Sequence, residues 1–378
     1  MENNYCIIMA GGIGSRFWPM STIDRPKQFL DILGTGQTLI QQTYKRFTKI
    51  CPEKNIFIVT NDLYKNLVIQ QLRINKEQVI SEPSRRNTAP CIAYASYKIA
   101  DINPNAIIIV APSDHVILKE EAFTATIDLA LNKARSDDCL VTLGIKPDRP
   151  DTGYGYIQFN DPEVSADRSK TPLRNRKSSS LKISLLAKNK KIRKVKTFTE
   201  KPNLQIAKKF LESGDFYWNS GIFIWTLKSI LKALEKYLPE VNTLFHEGIG
   251  KYNKRGEAKF IKKTYQVCKN ISIDYGVMEK ADNVYVVLSN FGWTDLGTWS
   301  SLYDNLRKNR SGNAVSGEKV FIYDSKNCIV NIPDDKVVVL QGLEDYIVVE
   351  SNNTLLICKK QDEQKIKQMV QDIKIRKK

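Results

Sequence analysis

The chain has 378 residues, of which 42% are hydrophobic and 26% charged, a composition that is typical of folded globular proteins and excludes disorder throughout. Its net charge of +17 is concentrated in two stretches: residues 161–191 hold 9 Lys/Arg against 3 Asp/Glu, and residues 359–378 hold 8 against 3. The remaining chain is only mildly basic, which favours phosphorylated small molecules over nucleic acid as ligands. A nucleic-acid-binding role for residues 161–191 is disfavoured because the stretch lacks interleaved aromatic residues.

The seven cysteines lie scattered, mostly in apolar runs, and form no CxxC pair. This pattern predicts reduced core thiols in a cytoplasmic protein and excludes a disulfide framework, while two histidines are too few for a His-rich metal centre. An apolar run begins at Tyr5 and a glycine loop follows it, so we expect no signal peptide. The longest apolar runs, such as Ala106–Pro112, are too short to cross a membrane.

Ile/Val-rich runs alternate with amphipathic stretches over the first 145 residues. The predicted strands are Tyr5–Met9, Asn55–Thr60, Ala106–Val110 and Cys139–Ile145. The predicted helices are Thr38–Lys49, Leu63–Ile74, Ala89–Ala100 and Ala122–Ala134. This repeated β-loop-α pattern predicts a doubly wound, three-layer, Rossmann-like α/β domain, which binds ligands beyond the carboxyl ends of its strands.

The second half begins with residues 161–191, a polar, basic and serine-rich stretch that predicts a solvent-exposed insertion. Later strands are predicted at Val195–Thr199, Gly221–Trp225 and Asn283–Ser289, a helix at Asn203–Leu211, and further helices towards Lys280. Past residue 310 the pattern changes to five short β runs, which predict a small all-β domain, with the coils of a short β-helix as an alternative arrangement. They are Lys319–Tyr323, Cys328–Asn331, Lys336–Leu340, Tyr346–Glu350 and Thr354–Cys358, followed by a predicted helix at Asp362–Ile375. We therefore expect one domain over residues 1–310 and a second over 311–378.

A glycine-rich loop, Gly11-Gly12-Ile13-Gly14-Ser15-Arg16, follows the first predicted strand. Glycines let backbone N–H groups approach a phosphate or a base. The dinucleotide motif GxGxxG does not fit, because position 17 is Phe17, and the chain has no Gly-Lys-Ser/Thr of a P-loop. Arg16 and Lys27 add cations that can neutralise a triphosphate and its departing pyrophosphate, and we expect both to be catalytic. The residues expected to bind the nucleotide here are Ala10, Gly11, Gly12, Gly14 and Ser15.

Several motifs make the chain resemble the mannose-1-phosphate guanylyltransferases of the sugar nucleotidylyltransferase superfamily. Phe17-Trp18-Pro19 after the glycine loop and Pro26-Lys27-Gln28-Phe29 are characteristic of that branch. Further motifs follow in family order: Glu82-Pro83 with Arg86-Asn87-Thr88-Ala89-Pro90, Pro112-Ser113-Asp114-His115, Thr199-Glu200-Lys201-Pro202, Trp218–Phe223, Ser272-Ile273-Asp274-Tyr275 and Gly292–Gly297. The resemblance covers roughly residues 5–305. It implies a nucleotidyltransferase fold and transfer of GMP from GTP to α-D-mannose 1-phosphate, which gives GDP-mannose and pyrophosphate.

The resemblance also assigns roles to residues outside the loop. Nucleotide contacts are implied for Glu82, Asn87, Thr88 and Ser113, and sugar-phosphate contacts for Gly153, Tyr154, Glu200, Lys201, Asn219 and Gly221. The carboxylate of Glu82 suits the N1–H and N2–H₂ donors of guanine. Without the resemblance, Glu200-Lys201 is an ordinary surface charge pair.

Two carboxylates are expected to hold Mg²⁺. Asp114 closes a predicted strand and is expected to be catalytic, because it can hold the ion against phosphate oxygens. The resemblance adds Asp295 as the second ligand, although from the residues alone Asp295 is equally typical of a turn or helix cap. His115 is expected to have a structural role, because Mg²⁺ prefers oxygen ligands.

The expected reaction needs no strong general base or covalent residue, since the attacking sugar-phosphate oxygen is already an anion. One alternative is the same chemistry on another nucleotide and sugar phosphate, such as glucose 1-phosphate. The other is a catalytically silent, nucleotide-sugar-binding regulatory protein, which the intact Arg16, Lys27, Asp114 and Asp295 disfavour. The β domain and final helix are expected to support a homodimer.

Overall fold

A computed structural model describes residues 1–12, 14–159 and 191–376 of the chain, so the predicted insertion lies outside the described residues except for Lys191. The chain forms two compact units, each assembled from separate segments. Unit 1 comprises Met1–Gly11, Tyr44–Pro112 and Ile117–Trp293; unit 2 comprises Gly12–Thr43, Ser113–Val116 and Thr294–Lys378. The predicted division at residues 310 and 311 stays a prediction. Within the described ranges, every helix is too short or too polar to span a bilayer.

Unit 1 is built on a nine-stranded mixed sheet. The strands up to the end of this unit are β1 (Asn4–Met9), β2 (Ile56–Asn61), β3 (Val79–Glu82), β4 (Ile107–Pro112), β5 (Val116–Ile117), β6 (Leu140–Ile145), β7 (Tyr156–Phe159), β8 (Ile192–Thr199), β9 (Phe216–Thr226), β10 (Val284–Ser289) and β11 (Trp293–Thr294). The sheet has the order β3-β2-β1-β4-β9-β6-β10-β8-β7 and leaves out the two-residue strands β5 and β11.

The first four strands of this sheet, β3, β2, β1 and β4, are parallel, as the sequence predicts for β1, β2 and β4. Ile7 of β1 is aligned with Phe57 of β2 on one side and with Val110 of β4 on the other, and all three side chains are buried. Burial on both faces explains why these strands are apolar throughout. The sheet departs from a purely parallel one at β9, which lies antiparallel between β4 and β6, and at β7 and β8, which also pair antiparallel.

Helices of unit 1 pack on its sheet or on one another, and the first helix of the chain begins in the segment of unit 2 that ends at Thr43. The helices are α1 (Leu39–Phe47), α2 (Lys65–Leu72), α3 (Thr88–Ala100), α4 (Glu120–Ser136), α5 (Leu204–Ser213), α6 (Leu227–Tyr237), α7 (Pro239–His246) and α8 (Glu257–Val267), followed by a π-helical turn at Asp274–Met278. Sequence-encoded caps fix several of their starts: the side chain of Asn203 accepts from the Ile206 amide, and that of Thr226 from the Ser229 amide. In α3 and α8, Tyr94 and Tyr265 meet edge to face and anchor a buried aromatic cluster.

Unit 2 contains two short 3₁₀ turns, Ser15–Phe17 and Lys27–Phe29, and the carboxyl-terminal elements. These are α9 (Trp299–Asn305), β12 (Ala314–Ser316), β13 (Val320–Tyr323), β14 (Ile329–Asn331), β15 (Val338–Gln341), β16 (Tyr346–Ser351), β17 (Thr354–Lys359), a 3₁₀ turn at Lys360–Lys365 and α10 (Ile366–Arg376). The chain alternates between two parallel layers: β12, β14 and β16 pair in one, and β13 and β15 pair in the other. This is the β-helical arrangement of the predicted all-β domain, and β17 closes the first layer antiparallel to β16.

Alternate side chains of the first layer serve two hydrophobic clusters. Val330 and Val348 point towards the second layer and pack with Leu340. Ile329 and Ile347 point the opposite way, into a cluster that also holds Phe17, Trp299 and Ile366. The two-residue periodicity of the strands therefore joins the β-helix to the turn that carries Arg16 and to α10.

Candidate active site

The predicted catalytic side chains line one pocket of unit 2, about 240 Å³ in volume. Arg16, Lys27, Asp114 and Asp295 share it with His115 and Lys367, among others. The Lys27 side chain is only 4% exposed, and its ammonium lies 2.8 Å from Oδ2 of Asp114. It also donates to the backbone carbonyls of Asp295 (2.6 Å) and Leu296 (3.0 Å). All three donors of the ammonium are therefore engaged, which fixes its position in the pocket.

Gly14 makes room for this lysine. Its φ is +64°, in the left-handed region, and a Cβ at this position would overlap the Cβ of Lys27. The Gly14 carbonyl accepts from the Phe17 amide (3.0 Å) and from the Ser21 hydroxyl (2.5 Å), so the loop turns directly into the 3₁₀ turn that carries Arg16. The third glycine of the predicted loop is thus required by both conformation and space.

Asp114 stays ionised beside Lys27. Burial works to raise its pKa, but the positive charge of Lys27, the neighbouring His115 and the hydrogen bond from Lys27 outweigh burial and hold the pKa below its usual value. Asp295 accepts a hydrogen bond from the Gly297 amide at Oδ1 (2.9 Å). Two carboxylates thus line one small polar pocket.

This donor set fits a magnesium ion, which proteins commonly hold through one or two carboxylates while phosphates and water supply the other ligands. Among the described residues, in this pocket or outside it, no group of three or more His, Cys, Asp or Glu side chains forms a ready-made metal site. The pair Asp114 and Asp295 therefore suits an ion that arrives with a phosphorylated substrate.

Arg16 is held by one end of its guanidinium. Nη1 donates to the Gly297 carbonyl (3.2 Å), while Nε is buried without a hydrogen-bond partner. Nearby in the sequence, the Gly12 carbonyl accepts from the Gln28 amide (3.0 Å). The Ser113 carbonyl accepts from the Thr43 hydroxyl (3.2 Å), and Ser113 itself is buried. The buried Nε of Arg16, in contrast, is an unused donor through which this cation can bind an anion.

A second group of predicted residues lies in unit 1, around Glu82 at the end of β3. Glu82 is buried, and its Oε1 accepts from the Tyr265 hydroxyl at 2.9 Å. Its Oε2 faces the glycine loop, 3.8 Å from where a Cβ on Gly11 would lie. Burial raises the pKa of Glu82 to about 7, against the lowering effects of the Tyr265 hydrogen bond and the Arg85 charge. Tyr265 was not among the predicted site residues.

Ala10, Asn87 and Thr88 are also placed in unit 1. Ala10 continues β1 and donates its amide to the Val59 carbonyl (2.7 Å). Asn87 caps α3, with its side chain accepting from the Thr88 amide (2.9 Å). The Thr88 hydroxyl accepts from the Ile273 amide (2.9 Å), which ties this segment to the π-helical turn that follows.

The predicted sugar-phosphate residues Glu200 and Asn219 meet around Gly155, also in unit 1. A Cβ at Gly155 would overlap Oε2 of Glu200, so the carboxylate packs directly on backbone. Asn219 is fixed from both sides: Oδ1 accepts from the Thr142 hydroxyl (2.9 Å), and Nδ2 donates to Oδ1 of Asp274 (2.8 Å). Burial, followed by the charge of Glu200, raises the pKa of Asp274 to about 7.

The remaining predicted sugar residues flank this group. Lys201 forms an ion pair with Glu200, and the Gly221 amide donates to Oδ1 of Asn219 (3.2 Å). The Tyr154 ring is buried edge to face between Trp218 and Trp293. The Gly153 amide donates to Asp151 (2.8 Å).

In unit 1, two residues that contact the predicted ones were missed as individual residues from the sequence. Asp274 had a signal, since it lies in the motif Ser272–Tyr275, but that motif was not given a role. Tyr265 had none, because an aromatic residue on an amphipathic helix is most often part of the core.

Comparisons with known proteins identify the family of the chain. The family model described as nucleotidyl transferase matches residues 5–312, and the one described as mannoseP isomerase/GMP-like beta-helix domain matches residues 317–373. Mannose-1-phosphate guanylyltransferase of Escherichia coli is 34% identical over 375 residues, which cover 97% of this chain and 75% of the relative. Alginate biosynthesis protein AlgA of Pseudomonas aeruginosa is 34% identical over 376 residues, 97% of this chain and 71% of the relative. A crystal structure from Thermus thermophilus, described as mannose-1-phosphate geranyltransferase, has a TM-score of 0.81 and 26% identity, and covers 98% of this chain and 99% of that one.

Proposed function

The chain belongs to the nucleotidyl transferase family and, within it, to the mannose-1-phosphate guanylyltransferases, and from this premise we propose which of its residues carry the reaction. The enzyme transfers GMP from GTP to α-D-mannose 1-phosphate and releases GDP-mannose and pyrophosphate. The observation that carries the assignment of residues is the pocket shared by Arg16, Lys27, Asp114 and Asp295. Cations and carboxylates together in a small polar cavity suit phosphates and the metal ion that accompanies them.

The chemistry is an in-line displacement at the α-phosphorus of GTP. A phosphate oxygen of mannose 1-phosphate forms the new O–P bond, the bond between the α-phosphorus and the bridging oxygen breaks, and pyrophosphate leaves with the electron pair. The nucleophile needs no deprotonation, so catalysis depends on positioning and charge neutralisation. Arg16 and Lys27 stabilise the charge that develops on pyrophosphate.

The enzyme requires a divalent metal ion, which we propose to be Mg²⁺ held by Asp114 and Asp295. Bound there, the ion supplies positive charge against the phosphate oxygens. The chain's own contribution is to hold both carboxylates in place: Lys27 pairs with Asp114 and lowers its pKa, and the Gly297 amide donates to Asp295.

The proposed contacts to the base and to the sugar centre on Glu82 and on Glu200 and Asn219, which belong to unit 1. We assign the guanine edge to Oε2 of Glu82, because Oε1 is already occupied by Tyr265 and an ionised carboxylate accepts from both N1–H and N2–H₂. Ala10, Gly11, Gly12, Gly14 and Ser15, with Asn87, Thr88 and Ser113, complete the proposed nucleotide contacts. Glu200, Lys201, Asn219 and Gly221, with Gly153 and Tyr154, are assigned to the sugar phosphate.

We further propose a cytoplasmic location. All seven cysteines are free and buried, which is typical of proteins in a reducing compartment, and the proposed substrates are a nucleoside triphosphate and a sugar phosphate. Neither nucleic acid nor membrane enters the proposal. The homodimer stays a prediction.

A substrate panel tests the assignment: four nucleoside triphosphates against mannose 1-phosphate and glucose 1-phosphate, scored by pyrophosphate release with and without Mg²⁺. We expect GTP with mannose 1-phosphate to be preferred and the activity to vanish in a chelator. In the preferred assay, Lys27→Met should lower turnover by about 10²–10³-fold, the usual cost of losing one preorganised charge contact. Near-normal turnover in Lys27→Met would refute its assignment.

A further inference from the structure

Helix α10 is fixed beside the turn that carries Arg16. Its first residue, Ile366, is fully buried in the hydrophobic cluster that contains Phe17 and Trp299. In the preceding 3₁₀ turn, the Glu363 carboxylate accepts from the Ser300 amide (2.9 Å), at the start of α9. Packing on one side and this hydrogen bond on the other hold the start of α10 in place. The next residue, Lys367, is therefore presented at a defined position rather than on a loose tail.

Lys367 lines the same pocket as Arg16, Lys27, Asp114 and Asp295. Its side chain is exposed, and in the described part of the chain no carboxylate pairs with it. The nearby positive charge of Arg16, more than burial, lowers the pKa of Lys367, so the two cations repel each other. Lys27, by contrast, is neutralised by Asp114.

Asp114 and Asp295 line the same pocket, but among the described residues neither Arg16 nor Lys367 forms an ion pair, and a polyanion placed between the two cations relieves their repulsion. The unpartnered Nε of Arg16 adds a buried donor on the same side. A lysine that stands alone on a protein surface has no second cation beside it. Two anchored cations facing one polar cavity make a phosphate-binding arrangement.

We propose that Lys367 binds the β- and γ-phosphates of GTP and the leaving pyrophosphate together with Arg16, so that the carboxyl-terminal helix contributes directly to the active site. This rests on the proposed function of the pocket. The β-helical domain thereby takes part in substrate binding, because the hydrophobic cluster that its strands form with Phe17 and Trp299 fixes the position of α10. Lys367 acts as a binding residue, and the chemistry at the α-phosphorus remains with the residues already assigned.

The test compares Lys367→Met with Lys365→Met in the full-length protein. Lys365 lies two residues earlier, is exposed and pairs with Asp362, so it is a matched loss of charge outside the pocket. We expect Lys367→Met to raise KM for GTP, and for pyrophosphate in the reverse reaction, by about tenfold, as for one lost charged hydrogen bond. KM for mannose 1-phosphate should stay unchanged. Lys367→Arg should restore most of the loss, and Lys365→Met should behave as the wild type.

A binding measurement independent of turnover completes the test. Inorganic pyrophosphate alone, titrated by calorimetry, should bind Lys367→Met more weakly than the wild type, with unchanged thermal stability of the free protein. Equal affinity of the two proteins for pyrophosphate and equal KM values would overturn the role of Lys367 while leaving the wild-type reaction intact. If the wild type itself formed no GDP-mannose, the proposed function would fail first, and the two failures are thereby distinguished.

Discussion

Removing the hydroxyl of Tyr265 should make recognition of GTP depend on pH in a defined way. This hydroxyl donates to Oε1 of Glu82, which is buried, and it is one of the two influences that lower the pKa of that carboxyl. In Tyr265→Phe the burial remains and the hydrogen bond is lost. The pKa of Glu82 must therefore rise from its value of about 7.

The size of the effect follows from the energy of the lost bond. A hydrogen bond to a charged group contributes about 1.5–3 kcal/mol, and each 1.36 kcal/mol corresponds to about one pKa unit, so the rise is roughly one to two units. With a rise of about one unit, the ionised fraction of Glu82 at pH 7 falls from about one half to about one tenth. Because guanine presents donors, only the ionised form accepts from both, and KM for GTP at pH 7 should rise about fivefold.

The assay is KM for GTP from pH 6 to pH 9, with mannose 1-phosphate saturating. The difference between Tyr265→Phe and the wild type should be large at pH 7 and shrink as the pH rises; for a rise of about one unit it is nearly absent at pH 9, where Glu82 is then ionised in both proteins. Cys91 and Cys268, which also face Glu82, have pKa values raised by burial and stay neutral over most of this range.

Tyr94→Phe is the matched control. Tyr94 meets Tyr265 edge to face, and its hydroxyl donates to Glu257 (2.6 Å) rather than to Glu82. This variant also loses a buried hydrogen bond to a carboxylate, yet its KM profile for GTP should follow the wild type. A Tyr265→Phe enzyme whose KM for GTP differs from the wild type equally at pH 7 and pH 9 would refute the reasoning, since its defect would then be structural.

Three further substitutions test the site and the fold. Gly14→Ala should lower the free energy of unfolding by at least about 1–2 kcal/mol, since its φ is positive and the new methyl overlaps a side chain, whereas Gly12→Ala, with open space around its Cβ, should leave stability unchanged. Gly155→Ala should push the Glu200 carboxylate aside and lower kcat/KM for mannose 1-phosphate on the order of 10²-fold, while KM for GTP stays constant; parallel losses for both substrates would contradict the assignment. Glu82→Gln should unfold at higher temperature than the wild type at pH 8 and at the same temperature near pH 4. In the folded wild type the pKa of Glu82 is about 7, above the ordinary 4.5. The free energy of unfolding of the wild type therefore falls as pH rises from about 4.5 to about 7, by up to about 3 kcal/mol, and Glu82→Gln avoids this loss because its side chain cannot ionise.

The sequence predicted most of the elements that position the site. The runs at β1, β2 and β4 are apolar on both faces, and the glycine loop begins where β1 ends, so this part of the sheet followed from pattern alone. The antiparallel position of β9 did not follow, since pairing partners are set by tertiary packing. Only residues 221–225 of that strand were predicted, because Gly221, with a φ of +69°, interrupts the pattern.

Within the site, motifs predicted residues better than they predicted contacts. Asp114 and Lys27 are 87 positions apart, and nothing in either motif indicates that they form an ion pair. The same holds for Glu82 and Tyr265, which are 183 positions apart. Local patterns identify which side chains carry charge, but pairing over such separations is decided by the fold.

The three central carboxyls differ in pKa, and the difference matches their proposed partners. Asp114 lies beside a cation and has a lowered pKa, so it stays ionised for a metal ion at any pH the enzyme meets. Glu82 and Asp274 are buried, and the charges of Arg85 and Lys201 do not offset the burial, which raises the pKa of each to about 7. The ionised form of Glu82 is costly in the free enzyme and is stabilised when the guanine donors bind. Loss of activity on the acid side should therefore begin near pH 7, through weaker binding of GTP, while Asp114, with its lowered pKa, is still ionised.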